Sequence, residues 1–152
     1  MTKDFADFLA ALNSEGASYV VIGGMAVIAL TPYRTTHDID ILIEPTLENA
    51  RKVRRAVKRW GGFEPAFTEA EFVAGDILSF GGLLRVEVHS SVPGAEWSRV
   101  WSNRRAGELR GVPTSFASLD DLIAMKEAAN RPEKDRPDLL RLRKLRDGRE
   151  KD

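Results

Sequence analysis

The spacing of apolar residues along the chain switches between a helical and a strand period, and these switches delimit the predicted elements. An amphipathic helix comes first and ends at Gly16, with its apolar stripe at Phe5, Phe8, Leu9 and Leu12. A short buried strand is predicted at 18–22, and a short apolar helix at 25–30. Apolar residues return at helical spacing over 47–60, which predicts a second long helix there.

Strict alternation of side chains marks the next strand, which is predicted to run from Asp38 to Ile43. Ile39, Ile41 and Ile43 point to one face, and Asp38, Asp40 and Leu42 point to the other. Two hairpins are predicted further on, one between strands at 76–80 and 83–89 and one between strands at 107–110 and 114–116.

Two helices are predicted after these hairpins. Ser118 and Asp121 read as a capping box that opens the first, and the second runs from about 138 to 146. This order of elements predicts an α+β fold: a small mixed β-sheet with helices packed mainly on one face and the other face partly open. At 152 residues, the chain is expected to form a single domain over 1–152, which the helices from about 118 complete.

Composition excludes several classes of function. The chain has 23 Lys+Arg and 23 Asp+Glu, so no global basic field indicates nucleic acid. It has no cysteine, which excludes disulfides, zinc–thiolate sites and thiol nucleophiles. The N-terminus lacks the signal-peptide pattern, and no apolar run approaches the length of a membrane helix. These features predict a cytoplasmic protein with no membrane partner.

Candidate chemistry lies in two neighbouring motifs, Gly23-Gly24 and Asp38-x-Asp40. Glycines at the end of a strand let backbone amides approach a ligand closely, and the N-terminus of the following helix favours anions. Two carboxylates on one strand face repel each other, whereas a divalent cation between them reverses the sign of that interaction. Hard oxygen ligands select Mg²⁺ or Mn²⁺, so the two motifs together suggest a nucleoside triphosphate site.

The spacing from Gly23-Gly24 to Asp38-x-Asp40 resembles that of the DNA polymerase β superfamily of nucleotidyltransferases, specifically its minimal single-domain members. The surrounding segments, and the stretch from Leu119 to Leu142, are similar to the branch that includes abortive-infection-type toxins. The resemblance implies a polymerase-β-type nucleotidyltransferase fold. It further implies that Gly23 and Gly24 hold the triphosphate and that Asp38 and Asp40 bind Mg²⁺.

The family also expects a third carboxylate on a neighbouring strand, and Glu87 is the candidate for it. Glu87 departs from the usual aspartate, so the alternative that it is a surface carboxylate stays open. Arg34 and Thr36, in the loop before Asp38, are candidate phosphate contacts or solvated loop residues. His89 is expected to be a polar-face residue rather than a ligand.

Lys126 is the next residue in line with an apolar helical stripe at Leu119, Leu122 and Ile123. It is predicted to extend its ammonium to solvent, to pair with Asp135, or to reach the triphosphate. The resemblance favours the nucleotide. Asp135 is alternatively the N-cap of the last helix. The cations along 51–59 are either a solvated face or a contact for RNA.

The predicted activity is Mg²⁺-dependent (or Mn²⁺-dependent) transfer of a nucleotide from an NTP such as ATP to a hydroxyl acceptor on RNA, protein or a small molecule. Partners implied by the resemblance are the NTP, the acceptor, and a cognate toxin or antitoxin. The alternative is a catalytically inactive nucleotide-binding or antitoxin-like partner module. A phosphohydrolase built on His37-Asp38 is disfavoured, since that fold needs more histidines than the two present.

Overall fold

The computed structural model describes residues 4–151, which form seven helices and six strands. The helices are α1 (Phe5–Glu15), α2 (Gly23–Leu30), α3 (Leu47–Gly61), α4 (Glu69–Phe72), α5 (Trp97–Ser102), α6 (Leu119–Ala129) and α7 (Pro132–Lys151). The strands are β1 (Tyr19–Ile22), β2 (Asp38–Ile43), β3 (Ile77–Gly81), β4 (Arg85–His89), β5 (Arg105–Leu109) and β6 (Val112–Phe116). The protein is therefore a mixed helix-and-sheet fold of the predicted α+β kind.

The six strands form one mixed sheet in the order β3-β4-β2-β1-β6-β5. β2 pairs antiparallel with β1 and parallel with β4, and β1 pairs parallel with β6. The hairpins β3–β4 and β5–β6 are antiparallel and lie at the two ends of the sheet. β2 and β4 are thus interior neighbours, and their polar residues face each other in register.

One face of the sheet is apolar and is covered by α1 and α3. Its central residues are Ile39, Ile41 and Ile43 of β2, all fully buried, together with Val86 and Val88 of β4. The two covering helices contact each other through the Phe8 and Trp60 rings, whose centroids lie 5.5 Å apart. Burying this face supplies the main apolar core of the protein.

The opposite face of β2 and β4 carries Asp38, Asp40, Glu87 and His89. Leu122 and Met125 of α6 line a cavity above these residues, so this face is partly covered and partly open.

Several sequence-based boundaries are confirmed. β2 runs from Asp38 to Ile43 as predicted, and Gly16 ends α1 in the left-handed conformation. Both predicted hairpins are present. Local signals were sufficient here, because alternation and a left-handed glycine cap are properties of short segments.

The last helix is longer than predicted. It begins at Pro132, six positions before the predicted start, and contains Pro137 in its interior. A proline is favoured in the first turn of a helix and normally breaks a helix interior. Pro137 therefore led to a predicted helix start at 138. The prediction of Asp135 as an N-cap is therefore wrong, since Asp135 lies inside α7.

Two further differences concern short helices and a cap. The helices α4 and α5 were not predicted, because they are too short to show a helical period. The capping box of α6 is only half formed: the Ser118 hydroxyl accepts a hydrogen bond from the Asp121 amide at 3.1 Å. The Asp121 carboxylate instead accepts one from Arg99.

None of the helices within residues 4–151 combines the length and apolarity needed to cross a bilayer.

Candidate functional site

The structure brings the three carboxylates predicted for the site to one face of the sheet. Asp40 lies directly opposite Glu87 in the parallel pairing of β2 with β4, and Asp38 lies opposite Arg85. Alternation along β2 places Asp38 on the same face as Asp40. The Asp38 carboxylate accepts no hydrogen bond from the described residues, and it lines the same cavity as Asp40 and Glu87.

His89 joins this group, which the sequence analysis did not expect. Its Nε2 atom lies 2.8 Å from Oδ1 of Asp40 and 4.0 Å from Oε2 of Glu87. One donor atom from each of Asp40, Glu87 and His89 lies within 4.8 Å of the others. The signal for His89 was present in the sequence, because it follows Glu87 at strand period and must share its face.

The pKa values of Asp40 and Glu87 are shifted in opposite directions. Burial disfavours the carboxylate of Asp40, but hydrogen bonds from His89 and Glu87 outweigh that effect, so the pKa of Asp40 is lowered. The hydrogen bond with Asp40, burial and the negative charge of Asp40 raise the pKa of Glu87 to about 7. Below about pH 7 the pair of carboxylates therefore holds one proton, as two carboxylates at close range do.

Gly23 and Gly24 leave space for two charged side chains. A Cβ atom on Gly23 would lie 2.7 Å from Oδ2 of Asp40, and Gly23 has a φ of 66°. A Cβ atom on Gly24 would lie 2.9 Å from Nη2 of Arg34. The glycine pair thus lets the Asp40 carboxylate and the Arg34 guanidinium lie directly against the start of α2.

Arg34 is held above Gly24 by Asp138 of α7. Its Nε and Nη2 atoms donate to the two carboxylate oxygens of Asp138 at 3.1 and 2.8 Å, and the Tyr33 hydroxyl donates to the same carboxylate. Burial would raise the pKa of Asp138, but the bonds from Arg34, Tyr33 and Lys126 hold it well below its usual range. Asp138 therefore fastens the loop before β2 to the last helix, a role that the sequence analysis missed.

Lys126 is largely buried and paired, so the prediction that its ammonium extends to solvent is wrong. Its side chain is only 11% exposed, and Nζ lies 2.9 Å from Asp135 and 3.1 Å from Asp138. Asp135 also accepts a hydrogen bond from Arg131. The predicted pairing with Asp135 is confirmed, and Asp138 is a second partner. Lys126 also lines the cavity, where its positive charge helps to lower the pKa of Asp40.

All eight predicted site residues line one open cavity of about 330 Å³: Gly23, Gly24, Arg34, Thr36, Asp38, Asp40, Glu87 and Lys126. The Thr36 hydroxyl is hydrogen-bonded to the backbone of Asp38 and so shapes the entry to β2. Arg131 and Lys134 add positive charge to the rim, and Ile77, Val92, Leu122 and Met125 form an apolar wall. The volume falls in the range of small-molecule sites, roughly 300–1,000 Å³.

The donor set of this cavity fits a divalent cation. Three carboxylates share one small space, and two of them hold a proton between them, which a divalent ion can replace. Asp38, Asp40 and Glu87 offer the hard oxygen atoms that Mg²⁺ and Mn²⁺ take, and His89 adds a nitrogen atom.

The cations of α3 contribute little to this site. Within residues 4–151, all of them except Arg55 are paired with a carboxylate: Arg51 with Glu69, Lys52 with Glu48, Arg54 and Lys58 with Glu64, and Arg59 with Glu15. Surface pairs of this kind neutralise the basic face, which supports the solvated-face interpretation over the RNA contact.

Comparison with protein-family models gives no match, and a search of curated proteins finds no similar sequence.

Replacing Glu87 with Gln is expected to stabilise the metal-free protein at pH 8 and to change it little at pH 5. The folded pKa of Glu87, about 7, lies above the ordinary value of 4.5. The associated stability is therefore present below pH 4.5 and is lost as the pH rises towards 7. Allowing for partial exposure, we expect a gain at pH 8 of up to about 1 kcal/mol, or about 2–4 °C in Tm.

Thermal denaturation in a chelating buffer from pH 5 to pH 8 measures this effect. Glu108→Gln is the matched control, because Glu108 is an exposed glutamate on a strand far from the cavity. If the Tm of Glu87→Gln depends on pH in the same way as the Tm of the unsubstituted protein, Glu87 is not coupled to Asp40.

Proposed function

We propose that the protein is a metal-dependent nucleotidyltransferase of the DNA polymerase β type, with the fold of its minimal members. One observation carries the proposal: Asp38, Asp40 and Glu87 share a cavity with Gly23-Gly24 and with the cations Arg34 and Lys126. Carboxylates that can hold a divalent ion thus face groups that can hold phosphate, which is the combination that a metal–triphosphate complex requires.

In this proposal each side of the cavity has a separate task. Asp38, Asp40 and Glu87 hold Mg²⁺ or Mn²⁺, which supplies charge neutralisation at the triphosphate. The backbone at Gly23-Gly24, at the N-terminus of α2, and the side chains of Arg34 and Lys126 bind the phosphate oxygens. The apolar wall of the cavity offers a surface for the nucleobase.

The reaction that follows is an in-line displacement at the α-phosphorus. A hydroxyl oxygen of the acceptor forms a bond to the α-phosphorus of the NTP, and the bond from that phosphorus to the bridging oxygen breaks, releasing pyrophosphate. The hydroxyl proton passes to a carboxylate oxygen of Glu87, which lines the same cavity as the proposed metal ligands. Positioning and charge stabilisation are the main contributions of the protein.

The chemistry of the cavity leaves the acceptor open among an RNA end, a protein hydroxyl and a small molecule. A cognate toxin or antitoxin remains part of the proposal on the resemblance alone, and a cytoplasmic location remains part of it on the sequence features of the N-terminus and the apolar runs.

One observation favours the alternative of a catalytically inactive, nucleotide-binding partner module. Arg34 and Lys126 are both engaged by Asp138, and Lys126 also by Asp135, so part of their charge is already neutralised. If those ion pairs persist with a nucleotide bound, the cations stabilise the triphosphate less. Such a protein would bind an NTP and metal without transferring the nucleotide.

Release of pyrophosphate distinguishes these two functions. The purified protein is incubated with each NTP, with Mg²⁺ or Mn²⁺, and with total tRNA or a cell lysate as the source of acceptor. Metal-dependent pyrophosphate release that requires the acceptor supports the transferase. NTP binding by calorimetry without pyrophosphate release from any mixture supports the partner module.

A further inference from the structure

We propose that His89 is a direct ligand of the metal in this cavity and that the site therefore prefers Mn²⁺ over Mg²⁺. The inference rests on the proposed function for the presence of a metal. It concerns a residue that the sequence analysis assigned only to the polar face, and it specifies the metal that the site takes.

The position of His89 follows from the sheet. Glu87 and His89 alternate with Val88 along β4 and project to one face, and Asp40 on β2 lies in register with Glu87. His89 is 9% exposed, so its ring is held in the floor of the cavity. The ring nitrogen Nε2 lies within hydrogen-bonding distance of the Asp40 carboxylate and faces the same cavity as Glu87.

The distances suit ligation with little movement. In six-coordinate geometry with bonds of about 2.1 Å, neighbouring donor atoms are about 3.0 Å apart and opposite ones about 4.2 Å. Nε2 of His89 lies 2.8 Å from Oδ1 of Asp40 and 4.0 Å from Oε2 of Glu87. A metal ion bound among these three atoms needs shifts of only a few tenths of an ångström at the His89 distances.

The chemistry of the donors determines the preference among metals. Mg²⁺ is bound by oxygen atoms and retains much of its water, so an imidazole adds little to its affinity. First-row transition ions accept nitrogen and oxygen ligands together. Two carboxylates with one imidazole therefore raise the affinity for Mn²⁺ more than for Mg²⁺.

A simpler role for His89 is to orient Asp40 through their hydrogen bond. The variant His89→Gln separates the two roles, because an amide can still donate a hydrogen bond to Asp40 but supplies no imidazole nitrogen. If His89 only orients Asp40, this variant retains most of the affinity for both metals, or loses affinity for both to the same extent.

The experiment measures Mn²⁺ binding by the full chain with electron paramagnetic resonance, and Mg²⁺ binding by competition. We expect the unsubstituted protein to bind Mn²⁺ at least tenfold more tightly than Mg²⁺. His89→Gln should weaken Mn²⁺ binding at least tenfold and change Mg²⁺ binding less than twofold. Equal losses for the two metals, or no loss, would overturn the proposal.

Pulsed electron paramagnetic resonance tests ligation even if His89→Gln does not fold. The chain has two histidines, and the exposed His37 provides the matched control. The Mn²⁺ form of the His37→Gln variant should show modulation from a directly bound nitrogen, which can then arise only from His89. Absence of that modulation overturns the proposal.

The same samples separate this inference from the proposed function. Nucleotidyl transfer without nitrogen modulation overturns the role of His89 and leaves the transferase intact. Nitrogen modulation without transfer to any acceptor supports the role of His89 and contradicts the transferase.

Discussion

Replacing both strand aspartates, Asp38→Asn with Asp40→Asn, is expected to abolish the thermal stabilisation that Mg²⁺ or Mn²⁺ gives the protein. Binding at one hundred times Kd stabilises a native protein by about 2.7 kcal/mol, and the double variant removes two of the three proposed oxygen ligands. Transfer should fall by on the order of 10³, since the charge of the triphosphate is then not neutralised. Differential scanning fluorimetry across a metal titration measures the first effect.

The metal-free double variant should be about as stable as the unsubstituted protein. Loss of the His89 and Lys126 interactions that lower the pKa of Asp40 is offset by relief of the repulsion that raises the pKa of Glu87. Asp76→Asn is the matched control, since Asp76 is exposed and lies outside the cavity. If Mg²⁺ and Mn²⁺ still stabilise the double variant as they do the unsubstituted protein, the metal does not bind at Asp38 and Asp40.

Replacing Asp138 with Ala is expected to lower the free energy of unfolding by about 3 kcal/mol or more. Asp138 is 3% exposed and accepts from Tyr33, Arg34 and Lys126. Its removal leaves the largely buried ammonium of Lys126 with Asp135 alone and detaches Arg34 from α7. Chemical denaturation monitored by circular dichroism gives the change in free energy of unfolding.

A matched control for Asp138→Ala lies on the same helix. Asp147 is exposed and forms no ion pair with the side chains of residues 4–149, so Asp147→Ala should change stability by less than about 0.5 kcal/mol. Asp138→Asn should fall between the two, because the amide still accepts hydrogen bonds but carries no charge. Equal stability of the Asp138→Ala and Asp147→Ala variants would show that the network of Asp138 is not formed in solution.

The parts of the site that could be predicted from the sequence are those set by local pattern. The alternation along β2 fixed the common face of Asp38 and Asp40, and the apolar residues flanking Glu87 fixed its direction on β4. The two glycines indicated a position where the backbone can be approached closely by another group. Only the structure identified the Asp40 carboxylate and the Arg34 guanidinium as the groups that lie against them.

The contacts that could not be predicted join distant parts of the chain. Arg34 and Asp138 are separated by 104 positions, and no local period relates them. Pro137 concealed the start of α7, so Asp138 could not be placed beside Asp135 as a second partner of Lys126. His89 was underestimated for a related reason: its role depends on Asp40, which the parallel pairing of β2 and β4 brings beside it.

Transfer of an NTP label to an acceptor tests whether the protein is a nucleotidyltransferase. The protein is incubated with Mn²⁺ or Mg²⁺, total tRNA or lysate, and one NTP labelled either at the α- or at the γ-phosphorus. We expect that the α-label becomes covalently attached to an acceptor, that the γ-label does not, and that the Asp38→Asn, Asp40→Asn variant attaches neither. Attachment of the γ-label, or no attachment of the α-label with any NTP and any acceptor fraction, would contradict the proposed function.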